Sequence, residues 1–296
     1  MAHDHSHHHD PQSYGTAFAL GIALNLAFVA IEAGAGVWVD SMALLSDADH
    51  NLSDVLGLVV AWAGAMMART GSSPRFTYGL KKASILAALA NAIFLLVAIG
   101  AIVAEAVRRL LNPAPTEGSV VMAVAAVGIV VNGVTALLFQ RGREHDINIR
   151  GAFLHMAADA LVSVGVVIAG YAILVTGKTW IDPVVSLAVA AAILWGTMGL
   201  LKESVWMSLA GVPRGIDVAE VQAALEALPD VEAVHDLHVW PMSTTENALT
   251  AHLFAPRATR TDDVLASARS MIDGKFGIHH STLQIETVDT SDCEEC

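Results

Sequence analysis

Residues 83–107 read ASILAALANAIFLLVAIGAIVAEAV, and Glu105 is the one ionisable side chain in this stretch of the sequence. A helix needs about 20 predominantly apolar residues to cross the hydrocarbon core of a bilayer, so this stretch is predicted to span a membrane. Five further apolar runs of similar length are separated by short polar breaks. They lie near residues 16–38, 42–68, 119–140, 151–176 and 182–206. The sequence therefore predicts an all-α transmembrane bundle of six helices.

The composition agrees with a membrane protein that carries a smaller soluble part. Of the 296 residues, 54% are hydrophobic and only 15% are charged, whereas about a quarter of the residues in soluble domains are charged. The formal net charge of −13 argues against nucleic acid as a partner, because phosphate binding requires clustered Lys and Arg. The two cysteines, Cys293 and Cys296, both lie at the end of the chain and exclude a disulfide framework.

The acidic charge is concentrated in the C-terminal part of the chain. Residues 213–296 contain fifteen acids and five bases, so that ten of the thirteen net negative charges fall in the last 84 residues. Their patterning predicts a helix, two strands, a second helix and a third strand, which suits an α+β, ferredoxin-like domain. We divide the chain into a His-rich tail, the six-helix domain, the ferredoxin-like domain and a terminal Cys-x-x-Cys tail. Their expected bounds are 1–13, 14–209, 210–289 and 290–296.

The distribution of Lys and Arg predicts the orientation in the membrane. Seven of these residues lie in the connections after the second and fourth runs, against three in the connections on the opposite side. Cytoplasmic loops carry the excess of positive charge, so both termini are expected in the cytoplasm.

Ionisable residues inside the apolar runs are the strongest indication of function, because each costs about 2.5–3.5 kcal/mol at the centre of a spanning helix. His50 and Asp54 lie four residues apart in the second run, and His155 and Asp159 repeat this spacing in the fifth. Residues at i and i+4 share one helix face, and two imidazoles with two carboxylates suit tetrahedral Zn²⁺. The alternative is a pair of polar faces that hold helices together. Asp47 either supports the ligands from a second layer or belongs to the helix end.

These ligands can bind and also release a metal ion. Metal binding requires neutral imidazole, so protons compete with the cation, and the exchange of Zn²⁺ for protons needs no nucleotide motif. The sequence contains no Walker-type phosphate loop. Two other classes remain open: a membrane metalloenzyme that uses the same ligands, and a membrane-tethered metal sensor.

Several stretches resemble one known family, the cation diffusion facilitators. Residues 40–54, DSMALLSDADHNLSD, are similar to the signature of that family's second helix, and His155 and Asp159 fall where it places a second ligand pair. Residues 211–213, GVP, resemble its linker, and residues 234–240, VHDLHVW, resemble the start of its cytoplasmic domain. The resemblance extends over residues 16–289.

The resemblance implies a homodimeric zinc/proton antiporter that works by alternating access, with Cd²⁺ or Co²⁺ as further possible cargo. His with Asp on both helices is typical of the zinc-transporting branch. The resemblance also implies a regulatory zinc site in the cytoplasmic domain, whose candidate ligands are His235, His252, His279 and Glu286.

The two ends of the chain are further candidates for metal binding. Cys293 and Cys296 form a Cys-x-x-Cys that suits Zn²⁺, but such a pair also occurs in redox or disordered tails. Five histidines between residues 3 and 9 form a metal-attracting tract, which a purification tag would also explain. The compact, prokaryote-like chain suggests a bacterial inner membrane.

Overall fold

The computed structural model describes residues 12–38, 42–111, 118–140, 142–178 and 180–288. Six long helices lie in this part of the chain before residue 209, and each coincides within a few residues with one predicted apolar run. They are α1 (Gln12–Trp38), α2 (Met42–Ala68), α3 (Ala83–Leu111), α4 (Gly118–Phe139), α5 (Ile147–Thr176) and α6 (Ile181–Ser208).

Five of the described helices are long and apolar enough to cross a membrane. The apolar segments are Gly15–Ala35, Ala83–Leu111, Met122–Phe139, Ile147–Thr176 and Pro183–Ser208. In α2 the apolar segment found among the described residues is shorter, Asp54–Ala68. The chain is therefore a multi-pass membrane protein.

The outer surface of the helices is apolar. Leu86 and Val97 on α3, Leu137 on α4 and Trp195 on α6 are 60, 67, 65 and 87% exposed. An apolar surface of this extent is unsuited to water, but lipid tails solvate it. The exposed side chains thus mark the faces of the bundle that contact the bilayer.

The interior of the bundle brings α2 against α1, α3 and α5. A Cβ on Gly64 of α2 would lie 2.2 Å from the Cβ of Ala87 on α3, so only glycine allows this approach. Small residues serve this purpose in membrane helices, where close van der Waals packing replaces the hydrophobic effect as the driving force. Gly64 therefore allows α2 to pack closely against α3.

The C-terminal part is a small α/β domain with the predicted order of elements. It contains α7 (Val218–Glu226), β1 (Ala233–Pro241), β2 (Asn247–Phe254), α8 (Thr261–Phe276) and β3 (His280–Glu286). β1 and β2 form an antiparallel hairpin, and β3 pairs in parallel with β2 after the α8 crossover. Buried side chains from both helices and all three strands form its core.

The turn between β1 and β2 docks against the start of α3, close to the start of α5. The amide of Thr244 donates to Ser84 Oγ at 3.2 Å, and the side-chain amide of Asn148 donates to the carbonyl of Ser84 at 3.0 Å. Lys81 and Glu246 form an ion pair beside them. The hairpin therefore contacts the start of α3, and Ser84 connects it to the start of α5, the helix that carries His155.

Asp146 is the N-cap residue of α5 and lies at this contact. Its side chain accepts a hydrogen bond from the backbone amide of Asn148 at 2.7 Å and so satisfies a helix N-terminal donor. Burial raises the pKa of the Asp146 carboxyl above its usual value, while hydrogen bonds from Asn148 and Thr244 partly oppose that shift.

Candidate metal centres

The first cluster of potential metal ligands lies inside the helical bundle. Asp54 on α2 and His155 and Asp159 on α5 each offer one ligand atom, and these atoms lie within 4.8 Å of one another. His155 Nε2 is 2.9 Å from Asp54 Oδ1 and 3.8 Å from Asp159 Oδ2. Asp54 and His155 are only 5 and 4% exposed. A buried pair of this kind in apolar helices is a candidate for ion binding.

Local sequence explains how these side chains meet. His155 and Asp159 are one helical turn apart and therefore lie on one face of α5. That face contacts α2, so Asp54 approaches from the neighbouring helix. The structure thus brings together three of the four predicted ligands of the transported ion.

The side chains of the other predicted residues on α2 fall outside the described part of the structure. The backbone of α2 is helical at His50 as well as at Asp54, which keeps the two positions one turn apart. His50 as a ligand, and Asp47 as its support, therefore remain predictions.

Asn91 on α3 lies near His155, against glycines of both α2 and α5. Its Oδ1 is 3.5 Å from the point where a Cβ on Gly57 would lie, and His155 Cε1 is 3.6 Å from the same point. On α5, a Cβ on Gly151 would lie 2.6 Å from Asn91 Nδ2. Glycines on both ligand-bearing helices therefore make room for this amide next to His155. The only feature of the sequence that marks Asn91 is that it is a polar residue within an apolar run.

A second cluster lies on the sheet of the C-terminal domain. His235 on β1 pairs in register with His252 on β2, and Glu286 ends the adjacent strand β3. His235 Nε2 is 2.9 Å from Glu286 Oε2, and His252 Nδ1 is 3.1 Å from Glu286 Oε1. The three ligand atoms lie within 4.8 Å of one another. The sheet therefore gathers three of the four residues that the resemblance indicated here.

The fourth, His279, is not brought to this cluster. It precedes β3, is exposed, and contacts Asp273 on α8 through Nδ1. Cys293 and Cys296 and the N-terminal histidines lie outside the described residues, so their roles stay predictions.

The donor set on the sheet fits a zinc ion. Two imidazole nitrogens and one carboxylate oxygen are ordinary zinc ligands, and a water molecule or one further side chain completes a tetrahedron. Glu286 is only 7% exposed, and a buried carboxylate requires compensation by positive charge. A bound divalent cation would supply that charge.

Comparisons with known proteins identify the family of both parts of the chain. The profile of the cation efflux transmembrane domain matches residues 18–207, and that of the cation efflux protein cytoplasmic domain matches residues 213–288. The chain is 35% identical to the zinc transporter ZitB of Escherichia coli over 97% of its own length and 93% of that protein. It is 34% identical to the cation efflux system protein CzcD of an Alcaligenes strain, over 97 and 90% of the two chains.

Two further relatives were found. A cadmium, cobalt and zinc/H⁺-K⁺ antiporter of Bacillus subtilis is 32% identical over 95% of this chain and 92% of that protein. The solved metal-bound C-terminal domain of the CzcD transporter from Cupriavidus metallidurans is 35% identical, covering 24% of this chain and 99% of that domain, with a TM-score of 0.23. The two domain matches together span nearly the whole chain, and they show that it belongs to the cation efflux, or cation diffusion facilitator, family of metal transporters and is not an enzyme.

Proposed function

We propose that this protein exports Zn²⁺ from the cytosol, with Asp54, His155 and Asp159 as ligands of the transported ion. The observation that carries this proposal is the buried cluster itself, whose ligand atoms lie within 4.8 Å of one another on two neighbouring membrane helices. Zinc as the cargo is supported by the nitrogen and oxygen donors and by relatives named zinc transporters. Cd²⁺ and Co²⁺ are further candidates, since a relative named for these ions is 32% identical.

His50 is proposed as the fourth ligand. It lies one turn from Asp54 on α2, and its imidazole would complete two nitrogen and two oxygen donors. This set matches the tetrahedral geometry that Zn²⁺ prefers. Asp47 would then support the ligands from the same helix, since α2 begins at Met42 and Asp47 does not lie at its end.

Protons are proposed as the exchanged ions. Zinc binding needs neutral His155 and ionised Asp54 and Asp159. When zinc leaves, these buried carboxylates lose their positive partner, which is costly in an apolar interior. A proton on His155 restores a positive charge 2.9 Å from Asp54. The site would take up zinc when it faces the cytosol and protons when it faces the other side of the membrane. Alternating access would therefore couple zinc export to proton entry.

The remaining architecture is proposed in the same terms. The helix order and the distribution of positive charge suit six spans with both termini in the cytoplasm. We place the protein in a bacterial inner membrane and assign a ferredoxin-like fold to its cytoplasmic domain. The domain that matches the cytoplasmic family profile would join two copies of the chain into a homodimer. Zinc bound by His235, His252 and Glu286 would regulate transport, and Cys293 and Cys296 would add ligands from the tail.

Transport by the purified protein tests the central proposal. The full chain is reconstituted in liposomes with a zinc-sensitive dye inside, and zinc entry is followed after a pH gradient is applied. We expect Asp54→Ala and Asp159→Ala each to abolish uptake, because each removes a charged ligand from a buried site. Zinc-driven proton movement, read with a pH dye, should disappear in the same variants.

Glu105→Gln is the matched control. Glu105 is also an acid in an apolar helix, but it pairs with Arg108 and Arg109 at the end of α3, so its variant should transport normally. A metal sensor would bind zinc without moving it, and wild-type protein that shows no flux would refute the transport proposal. Full uptake by Asp54→Ala would refute the assignment of the ligands.

A further inference from the structure

Asp236 has an unusual backbone conformation next to the cytoplasmic cluster. Its φ is +49°, a left-handed value that non-glycine residues in strands rarely adopt. It lies where the pairing of β1 with β2 shifts, between the pair His235–His252 and the pair His238–Thr250. One extra residue on β1 makes this a β-bulge, a device that redirects side chains beside functional sites.

The bulge places the carboxylate of Asp236 between two histidines. Its Oδ1 is 2.7 Å from His238 Nε2, and its Oδ2 is 3.5 Å from His252 Nε2. The other ring nitrogen of His252, Nδ1, is 3.1 Å from Glu286. The His252 ring therefore has one nitrogen at the cluster and the other at Asp236. Histidines that ligate metals almost always donate their second ring N–H to a carboxylate, a carbonyl or a water molecule.

We propose that Asp236 is a positioning residue of the cytoplasmic zinc site. Its Oδ2, 3.5 Å from His252 Nε2, would accept the Nε2–H of that ring when the site is loaded, and this would leave the lone pair on Nδ1, the nitrogen beside Glu286. His238 donates to the other oxygen and orients the carboxylate. This inference rests on the cytoplasmic zinc site proposed above and does not depend on the transport site.

The left-handed backbone makes the proposal distinguishable from a purely structural role. Glycine adopts positive φ without strain, so Asp236→Gly should leave the metal-free fold equally or more stable. Asn is also well tolerated there and keeps one acceptor oxygen. If Asp236 only shapes the bulge, its replacement by glycine should leave zinc affinity unchanged. If its carboxylate positions His252, the replacement should lower zinc affinity.

The test measures zinc affinity and stability in the full-length protein. A chain with Asp159→Ala, which lacks one transport ligand, is titrated with Zn²⁺ against a competing chelator, and the cytoplasmic component is the binding that His235→Ala removes. We expect Asp236→Gly to weaken this component by about 10–100-fold, with an unchanged or higher Tm of the metal-free protein. Asp236→Asn should keep part of the affinity.

Two results would overturn the proposal. The first is unchanged affinity in Asp236→Gly, or a loss that is accompanied by a lower Tm of the metal-free protein. The second is a further loss of the same size when Asp236→Gly is added to His252→Ala, since a residue that acts through His252 has no effect without it. If His235→Ala removes no zinc binding, the cytoplasmic site itself is wrong, and transport remains a separate question.

Discussion

Gly151→Ala should destabilise the protein and slow transport, because Gly151 leaves room for the Asn91 amide beside His155. A Cβ at residue 151 would lie 2.6 Å from Asn91 Nδ2, well inside an ordinary contact of about 3.5 Å. Asn91 is 2% exposed and is also confined at Gly57, so it has little room to move away. Overpacking of this kind costs about 1–3 kcal/mol.

Helix propensity acts in the opposite direction and has to be separated from this cost. Alanine is favoured over glycine in a helix interior by roughly 0.5–1 kcal/mol. Gly133→Ala on α4 supplies the matched control, since a Cβ at that position would have nothing within 4 Å. The difference in stability between the two variants isolates the steric cost. We expect Gly151→Ala to have the lower Tm, by about 2–4 °C for each kcal/mol.

Thermal unfolding of the purified protein gives the two Tm values, and zinc uptake into liposomes gives the functional effect. The double variant Asn91→Ala with Gly151→Ala removes the clash and should recover stability relative to Gly151→Ala alone. Equal Tm values for Gly151→Ala and Gly133→Ala, together with normal uptake in both, would refute the packing around His155 described here.

Two further predictions concern the contact between the hairpin and the helices. Asp146 has a raised pKa because of its burial, so the wild-type protein should lose stability as the pH rises through that pKa, above the usual 3.8. Asp146→Asn keeps an acceptor at the helix N-terminus but carries no charge, so the stability of the variant relative to wild type should increase with pH. Thermal unfolding at several pH values tests this, and a difference in Tm between the two proteins that does not change with pH would contradict it. Lys81 and Glu246 are partly exposed, so Lys81→Glu should weaken docking by only about 0.2–1 kcal/mol and Glu246→Lys in the same chain should restore it. Hydrogen exchange at residues 242–246 measures this docking, and a double variant that exchanges as fast as Lys81→Glu would contradict the pairing.

The membrane helices, and the spacing of histidine and aspartate along two of them, were predictable because both depend on local periodicity. An apolar run must form a helix inside a bilayer, where every backbone polar group needs an internal partner. Residues four positions apart lie on one face of a helix. This rule places Asp159 on the same face as His155, and position 54 on the same face as position 50. The order of elements in the C-terminal domain was likewise readable from alternating and helical patterns.

The positions of His279, Asn91 and Asp236 were not predictable in this way. His279 lies close in sequence to β3, but it contacts α8 and not the cluster of His235, His252 and Glu286. Asn91 packs near His155 because glycines on two other helices leave space. The bulge at Asp236 depends on how β1 pairs with β2, and no local pattern in the sequence marks it.

By itself, the sequence determined that the chain enters a membrane, where its charges lie, and which two helices carry histidine and aspartate. The free energy of transferring each residue into lipid and the 3.6-residue period of a helix are properties of the chain alone. Only the tertiary structure decided that Asp54 meets His155 at 2.9 Å, that His235 and His252 gather around Glu286, and that Asp236 lies behind His252. Those contacts join residues up to a hundred positions apart, and their distances follow from the packing of helices and the register of strands.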